Sequence, residues 1–168
     1  MIYIRYANSD DAKELGIIHS QSWKIAYKGI VPDSVLNNIS AEKREKYFYN
    51  ALTEKIEEDA LIFVDDKPIG FICIGKCRDN DLDDSYGEIW GIYLLPSYWN
   101  QGLGYKLINW GINALIDRGF KNIILWVLKE NINACKFYEK VGFCFEGTEK
   151  EINIGKTLIE CCYIYKIN

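Results

Sequence analysis

One histidine and three prolines occur in the 168 residues, and each scarcity excludes something. Six cysteines are present (Cys73, Cys77, Cys135, Cys144, Cys161, Cys162) but no C-x-x-C pair, so with a single histidine the ligands for a zinc site are few. No metal is expected, and the cysteines read as reduced thiols. So little proline, with hydrophobic residues at 49%, excludes a collagen-like or low-complexity chain. No apolar run nears the roughly 20 residues of a membrane helix, and Met1-Ile2-Tyr3-Ile4-Arg5 lacks the apolar core of a signal peptide. No membrane association is expected, and the expected location is cytoplasmic. Positive charge is also short. Twenty basic against 24 acidic residues give a net charge of -4, the wrong sign for holding nucleic acid through the overall field.

What is present fits one folded unit. Domains typically run to roughly 100–200 residues, so residues 1–168 read as a single domain. Ile2–Tyr6 alternates strand formers, and Asn8-Ser9-Asp10-Asp11 supplies a cap and an acidic first turn for a helix. In that helix Ala12, Leu15, Ile18, Ser22 and Ile25 share the buried face, His19, Trp23 and Tyr27 recur four apart beside it, and Gly29 with Pro32 ends it. That aromatic edge reads as a substrate wall or, more commonly, as a packing edge. A second helix follows Ser40, with Tyr47, Phe48, Ala51 and Leu52 as its apolar side. Residues 60–64 and 69–74 read as a hairpin about the turn Asp65-Asp66-Lys67-Pro68. The run from Arg78 to Asp84 is an acidic loop, a solvated connection or a lure for a cation.

From residue 88 to 95 both faces are apolar except at Glu88, as in a strand buried on both sides, and Pro96 stops it. A helix bearing Leu103, Leu107, Gly111, Ala114 and Leu115 closes at Gly119. Residues 123–128 form another buried strand, and 131–140 a helix with Ala134, Phe137, Tyr138 and Val141 inward and Gly142 at its end. Strands at 143–148 and 157–166 complete a mixed α/β (α+β) pattern with no internal repeat. Charge divides unevenly: residues 1–86 carry -5 and residues 87–168 carry +1.

Between the strand stopped by Pro96 and the helix at Leu103 lies Tyr98-Trp99-Asn100-Gln101-Gly102-Leu103-Gly104-Tyr105. A glycine loop in that setting brings backbone N–H groups and the helix dipole onto a phosphate. It is no Walker loop, since no Gly-Lys-Ser/Thr follows, and no dinucleotide fingerprint, since a third glycine is missing. Leu95-Pro96 with this loop, then Asn131-x-x-Ala134-x-x-Phe137-Tyr138-Glu139-x-x-Gly142-Phe143, resembles the GNAT superfamily of acyl-CoA-dependent N-acyltransferases. Both motifs stand in the family's order, and the resemblance covers nearly the whole chain. Trp99 departs from it, standing where the family's loop usually has Arg or Gln.

The resemblance implies a GNAT-like fold, a central mixed sheet with splayed strands flanked by helices, and acetyl-CoA as acetyl donor. It places the pantetheine arm along Ile92, Tyr93 and Leu94, paired like an added strand. It puts the pyrophosphate on the amides of Gln101, Gly102, Leu103, Gly104 and Tyr105, and Asn131 with Ala134 on the arm's other side. The Leu94 N–H would polarise the thioester carbonyl. Tyr138 matches the donor to the departing thiolate, and Glu88 resembles the general base, acting directly or through water. Each also has a plainer reading, Tyr138 as a core aromatic and Glu88 as a strand-end carboxylate satisfied by a neighbouring amide.

The function implied is N-acetyl transfer from acetyl-CoA to a primary amine by direct attack in a ternary complex. The -5 charge of residues 1–86, with Trp23 and Tyr27 as substrate-binding aromatics, favours a small cationic acceptor such as a polyamine or amino sugar. Acetylation of protein or peptide N-termini, a catalytically silent CoA-binding module and a homodimer are open alternatives. No nucleic-acid partner is expected.

Overall fold

Strand formers at the start give β1 (Ile2–Tyr6), and the Asn8 side chain accepts from the Asp10 N–H to open a short turn into α1 (Ala12–Ala26). Ala12, Leu15, Ile18 and Ser22 are buried as expected, whereas Ile25 is 56% exposed. The 3.6-residue period has by then carried it to the margin of the buried stripe. A helix without a sequence signal, α2 (Asp33–Asn38), follows Pro32 and is too short to show a period. The next, α3 (Ala41–Thr53), is capped by Ser40, whose hydroxyl accepts from the Lys43 N–H at 3.1 Å.

The hairpin joins β2 (Glu58–Val64) to β3 (Lys67–Lys76) through a tighter turn than expected. Asp65 and Asp66 alone turn the chain, at φ 48° and 64°, so Lys67 already pairs with Val64. Then come β4 (Tyr86–Leu94), α4 (Leu103–Asp117), β5 (Asn122–Leu128), α5 (Ile132–Val141), β6 (Cys144–Asn153) and β7 (Thr157–Lys166). β6 continues five residues beyond the expected 148. It is an edge strand with nearly every side chain exposed, where Glu149-Lys150-Glu151 is as acceptable as an apolar run.

The computed structural model describes residues 1–167, among which seven strands form one mixed sheet in the order β1-β2-β3-β4-β5-β7-β6. Side chains alternate between its faces. Ala60 and Ile62 of β2 join Ile72, Ile74, Leu107 and Ile108 under α4, while Leu61 and Phe63 join Phe71, Leu15, Ile18 and Phe48 under α1 and α3. Helix α4 lies close because position 111 is glycine: a Cβ there would stand 2.5 Å from Ile72 Cδ1. No helix among the described residues is long and apolar enough to cross a membrane.

Two irregularities in β4 open the middle of the sheet. Cys73 pairs with Gly91 but Ile74 with Ile89, so Trp90 is an extra residue, a bulge on β4. The parallel pairing of β4 with β5 covers Tyr86, Gly87 and Glu88 and goes no further. Beyond the bulge the two strands diverge, and their backbone groups face a gap.

Candidate active site

The gap between β4 and β5 is a cleft lined by Ile92 and Tyr93 of β4, Trp126 and Val127 of β5, Asn131 and Ala134 at the start of α5, Tyr138 of α5, and Tyr27. The Leu95 N–H donates to the Ile69 carbonyl of β3 at 2.8 Å. Successive amides of a strand point to opposite sides, so the Leu94 N–H points away from β3, toward the gap. Asn131 opens α5 by accepting from the Ala134 N–H at 3.3 Å, which fixes both residues at the cleft.

At the end of β4 the loop turns through Asn100 and Gly102, at φ 59° and 78°, into α4. Gly102 is the N-cap and brings no side chain to the cap. The first intrahelical bond of α4 runs from Lys106 to the Gly102 carbonyl, so the amides of Leu103, Gly104 and Tyr105 precede it and lie free in the first turn. A positive backbone end without a capping side chain fits a pyrophosphate. The Gln101 side chain is spent elsewhere, donating to the Ser97 carbonyl at 2.9 Å. Trp99 brings a contact that the sequence does not disclose. Its indole N–H donates to the Leu94 carbonyl at 2.8 Å and ties the loop to the end of β4.

Tyr138 packs among Phe137, Phe143 and Tyr163, with its nearest ring centroid at 5.5 Å, and its phenol is pushed above the ordinary value by burial. Burial raises Tyr27 and Tyr93 as well. Tyr27 is at the cleft, whereas Trp23 stands behind it, tilted against Tyr27 at 4.5 Å and stacked on His19 at 5.3 Å.

Glu88 is 1% exposed and fully engaged. One carboxylate oxygen accepts the Arg78 backbone N–H at 2.9 Å, and the other accepts the Arg78 guanidinium at 2.5 Å and 3.2 Å. It does not line the cleft. The Arg78 guanidinium lies over the Trp90 ring at 4.4 Å. The loop carboxylates 79–84 also stay off the site. Asp79 accepts from Trp126 Nε1 at 2.9 Å, and Asp83 accepts from Ser85.

On the other face of β4 a second cavity, of about 160 Å3, lies between the sheet and α1 and α3. It shares Trp90, Gly91 and Tyr93 with the cleft, so the two meet across β4 at the bulge. His19, Arg44, Glu57, Asp59 and Cys73 line it, and Glu88 does not. Asp59 is 1% exposed and its carboxyl is pushed up to about 8, by burial first and by the Glu57 charge second. Burial, then Arg44, pushes His19 down to about 3, so its ring is neutral near pH 7.

The cleft between splayed strands, the free helix amides at its end and the cavity across the strand offer an extended thioester a backbone edge, a phosphate contact and an opening toward a second molecule. The profile of the Acetyltransferase (GNAT) family matches residues 26–143. The chain belongs to that family. The acetyltransferase is 29% identical over 133 residues to the uncharacterized N-acetyltransferase YuaI of Bacillus subtilis, 78% of this chain and 74% of that one. It is 27% identical over 153 residues to a spermidine N(1)-acetyltransferase of Thermoplasma acidophilum, 88% of this chain and 91% of that one. Its fold matches the crystal structure of PaiA N-acetyltransferase from Thermoplasma acidophilum in complex with coenzyme A, with a TM-score of 0.79, 24% identity and 99% of each chain covered. As a GNAT member it is an N-acetyltransferase whose acetyl donor is acetyl-CoA.

Proposed function

We propose that the acetyltransferase acetylates a primary amine of a small cationic molecule by direct attack, with donor and acceptor bound together. The observation that carries this is the shared wall at Trp90, Gly91 and Tyr93, where cleft and cavity meet. A donor in the cleft and an amine in the cavity face each other there without an enzyme-bound acetyl group. No cysteine or serine lines the cleft, and the one cysteine of the cavity, Cys73, has a thiol pushed far up by burial, a poor nucleophile. The likeness to a spermidine acetyltransferase supports a cationic acceptor.

In this reading the backbone of Ile92, Tyr93 and Leu94 holds the pantetheine arm, and the amides of Gln101, Gly102, Leu103, Gly104 and Tyr105 hold the pyrophosphate. Asn131 and Ala134 close the arm's far side. The bound thioester supplies an activated acetyl group, and the Leu94 N–H stabilises negative charge as it grows on the carbonyl oxygen. Tyr138, kept protonated by burial, donates a hydrogen bond to the departing sulfur, and the proton that the attacking amine loses passes to solvent water. Glu88 acts by positioning: it holds Arg78 over Trp90 and so shapes the wall between cleft and cavity. Tyr27 lines the reacting end, and Trp23 supports it.

The test is thiol release from acetyl-CoA with a panel of primary amines, amino sugars and peptides. Turnover is expected with small cationic amines. Turnover confined to peptides would overturn the acceptor assignment.

A further inference from the structure

Asp59 is the one carboxylate among the described residues that is nearly fully buried, at 1% exposure, with neither oxygen hydrogen-bonded. Leaving a carboxylate so placed is costly unless a donor arrives. The surrounding side chains do not supply one. Arg44 on α3 lays its guanidinium over Tyr47 and Phe48, at 4.4 Å and 5.0 Å, with its own Nε unpartnered. Arg78 is taken by Glu88, and the Tyr47 hydroxyl donates to Glu57 at 3.1 Å. His19 Nδ1 is likewise enclosed and without a partner. With Arg78 matched by Glu88, Arg44 alone faces Glu57 and Asp59, and ionisation of Asp59 leaves one negative charge for an arriving cation to meet.

Register gives the scale. Asp59 pairs with Cys73 and Cys73 with Gly91, so Asp59 stands two strand spacings, roughly 10 Å, from the wall shared with the cleft. An aspartate side chain covers only a small part of that span. Asp59 is therefore too distant to take a proton from an amine attacking at β4, yet at a distance that a short alkyl chain bridges. Gly91 carries no side chain, and the Tyr93 ring lies against it, 2.8 Å from where a Cβ would stand, so Tyr93 closes the end of the row at β4.

We propose that the second cavity is a subsite for a remote ammonium group of the acceptor, held by Asp59 with Glu57 beside it, so that the acceptor is an alkyl diamine or polyamine. This rests on the reading of the chain as an amine acetyltransferase. Three N–H donors of an ammonium match the two Asp59 oxygens and the neighbouring Glu57. The elevated Asp59 carboxyl agrees with the assignment, since an arriving cation displaces its proton. Ligand atoms of Glu57, Asp59 and Cys73 lie within 4.8 Å of one another, which makes a divalent metal the competing cation. Burial keeps the Cys73 thiol protonated, and a protonated thiol is a poor metal ligand.

The experiment compares putrescine, butylamine and γ-aminobutyrate as acceptors for the wild type, Asp59→Asn and Glu57→Gln. Putrescine is expected to exceed butylamine in kcat/KM by at least about tenfold, chiefly through KM, the scale of hydrogen bonds to a buried charge. Asp59→Asn should bring that ratio close to one while keeping the acetyl-CoA-induced rise in Tm, and Glu57→Gln should lower it partway. A ratio unchanged in Asp59→Asn overturns the proposal. So does a preference for γ-aminobutyrate, which would assign the cavity to a carboxylate on Arg44, or a larger rise in Tm with zinc chloride than with putrescine. Should Asp59→Asn fail to fold, Glu57→Gln decides by the same ratio. If no amine is acetylated, the Tm of the unmodified protein with putrescine separates the two readings. A rise that Glu57→Gln diminishes keeps the subsite and fails the transfer; no rise fails both.

Discussion

Trp99 Nε1 donates to the Leu94 carbonyl at 2.8 Å, joining the glycine loop before α4 to the last residue of β4. The two sides of the proposed donor site, loop amides and strand backbone, are held in one register by this bond. Trp99→Phe keeps the ring and loses the bond, worth about 1 kcal/mol for a neutral pair. The KM for acetyl-CoA is expected to rise roughly fivefold with a small change in kcat. An unchanged KM in steady-state kinetics would show that the loop holds its register without it.

Gly102→Glu should abolish the rise in Tm that acetyl-CoA causes. The residue sits at φ 78°, which strains any side chain, and the carboxylate would face the phosphates with like charge. Gly102→Ala separates the two effects, since it carries the strain alone. It is expected to retain a reduced shift in a thermal-melt titration.

Tyr138→Phe removes one hydroxyl from the cleft. If that hydroxyl acts on the departing sulfur, kcat falls about 10 to 100-fold while the KM for acetyl-CoA stays nearly level. Full kcat, with chemistry shown to be rate-limiting, would return Tyr138 to a core role.

Glu88→Gln tests positioning against base catalysis. As the holder of Arg78, Glu88 should affect the KM for the amine, and the acidic limb of kcat/KM against pH should keep its shape. A flattened limb would instead make Glu88 the proton acceptor, acting through water.

Asp59 and His19 predict a definite stability profile. Asp59 binds its proton more tightly in the folded chain, at about 8 against an ordinary 3.8, so stability falls as pH rises through that window. His19 binds its proton less tightly when folded, at about 3 against 6.5, so stability is lost as pH falls from 6.5 toward 3. Between about pH 4 and 6.5 the two slopes cancel. Above pH 6.5 the Asp59 slope is no longer opposed by His19, and stability should fall toward pH 8. The groups facing Asp59 in the cavity are Glu57, Arg44, His19, Cys73, Tyr47 and Arg78 with its partner Glu88. Urea unfolding of the ligand-free protein at several pH values checks the profile, and in Asp59→Asn the decline above pH 6.5 should disappear.

Residues whose environment is set by near neighbours were legible before any fold was known. The ends of β1, the cap at Asn8, the Ser40 cap, the helix stop at Gly119 and the glycine loop before α4 all depend on contacts within a few positions. The site signals were of the same kind, since Gly102, Asn131 and Tyr138 lie in two short motifs. Asp59 carried no such signal. In Glu57-Glu58-Asp59 it looks like part of a solvated run ahead of a strand.

Apart from the short α2, the sequence by itself determined the element types, their order and the motifs that identify the family, because propensity, capping and glycine backbone freedom are local physics. Only the tertiary structure decided how far β4 and β5 pair, that Trp90 bulges out of register with β3, and that Arg78 occupies Glu88. It also decided that α1 and α3 cover Asp59, turning a charge near the start of a strand into a buried carboxylate without a partner. Burial and long-range pairing come from segments distant in the chain, and a side chain's charge shows its cost only once those segments have taken the water away.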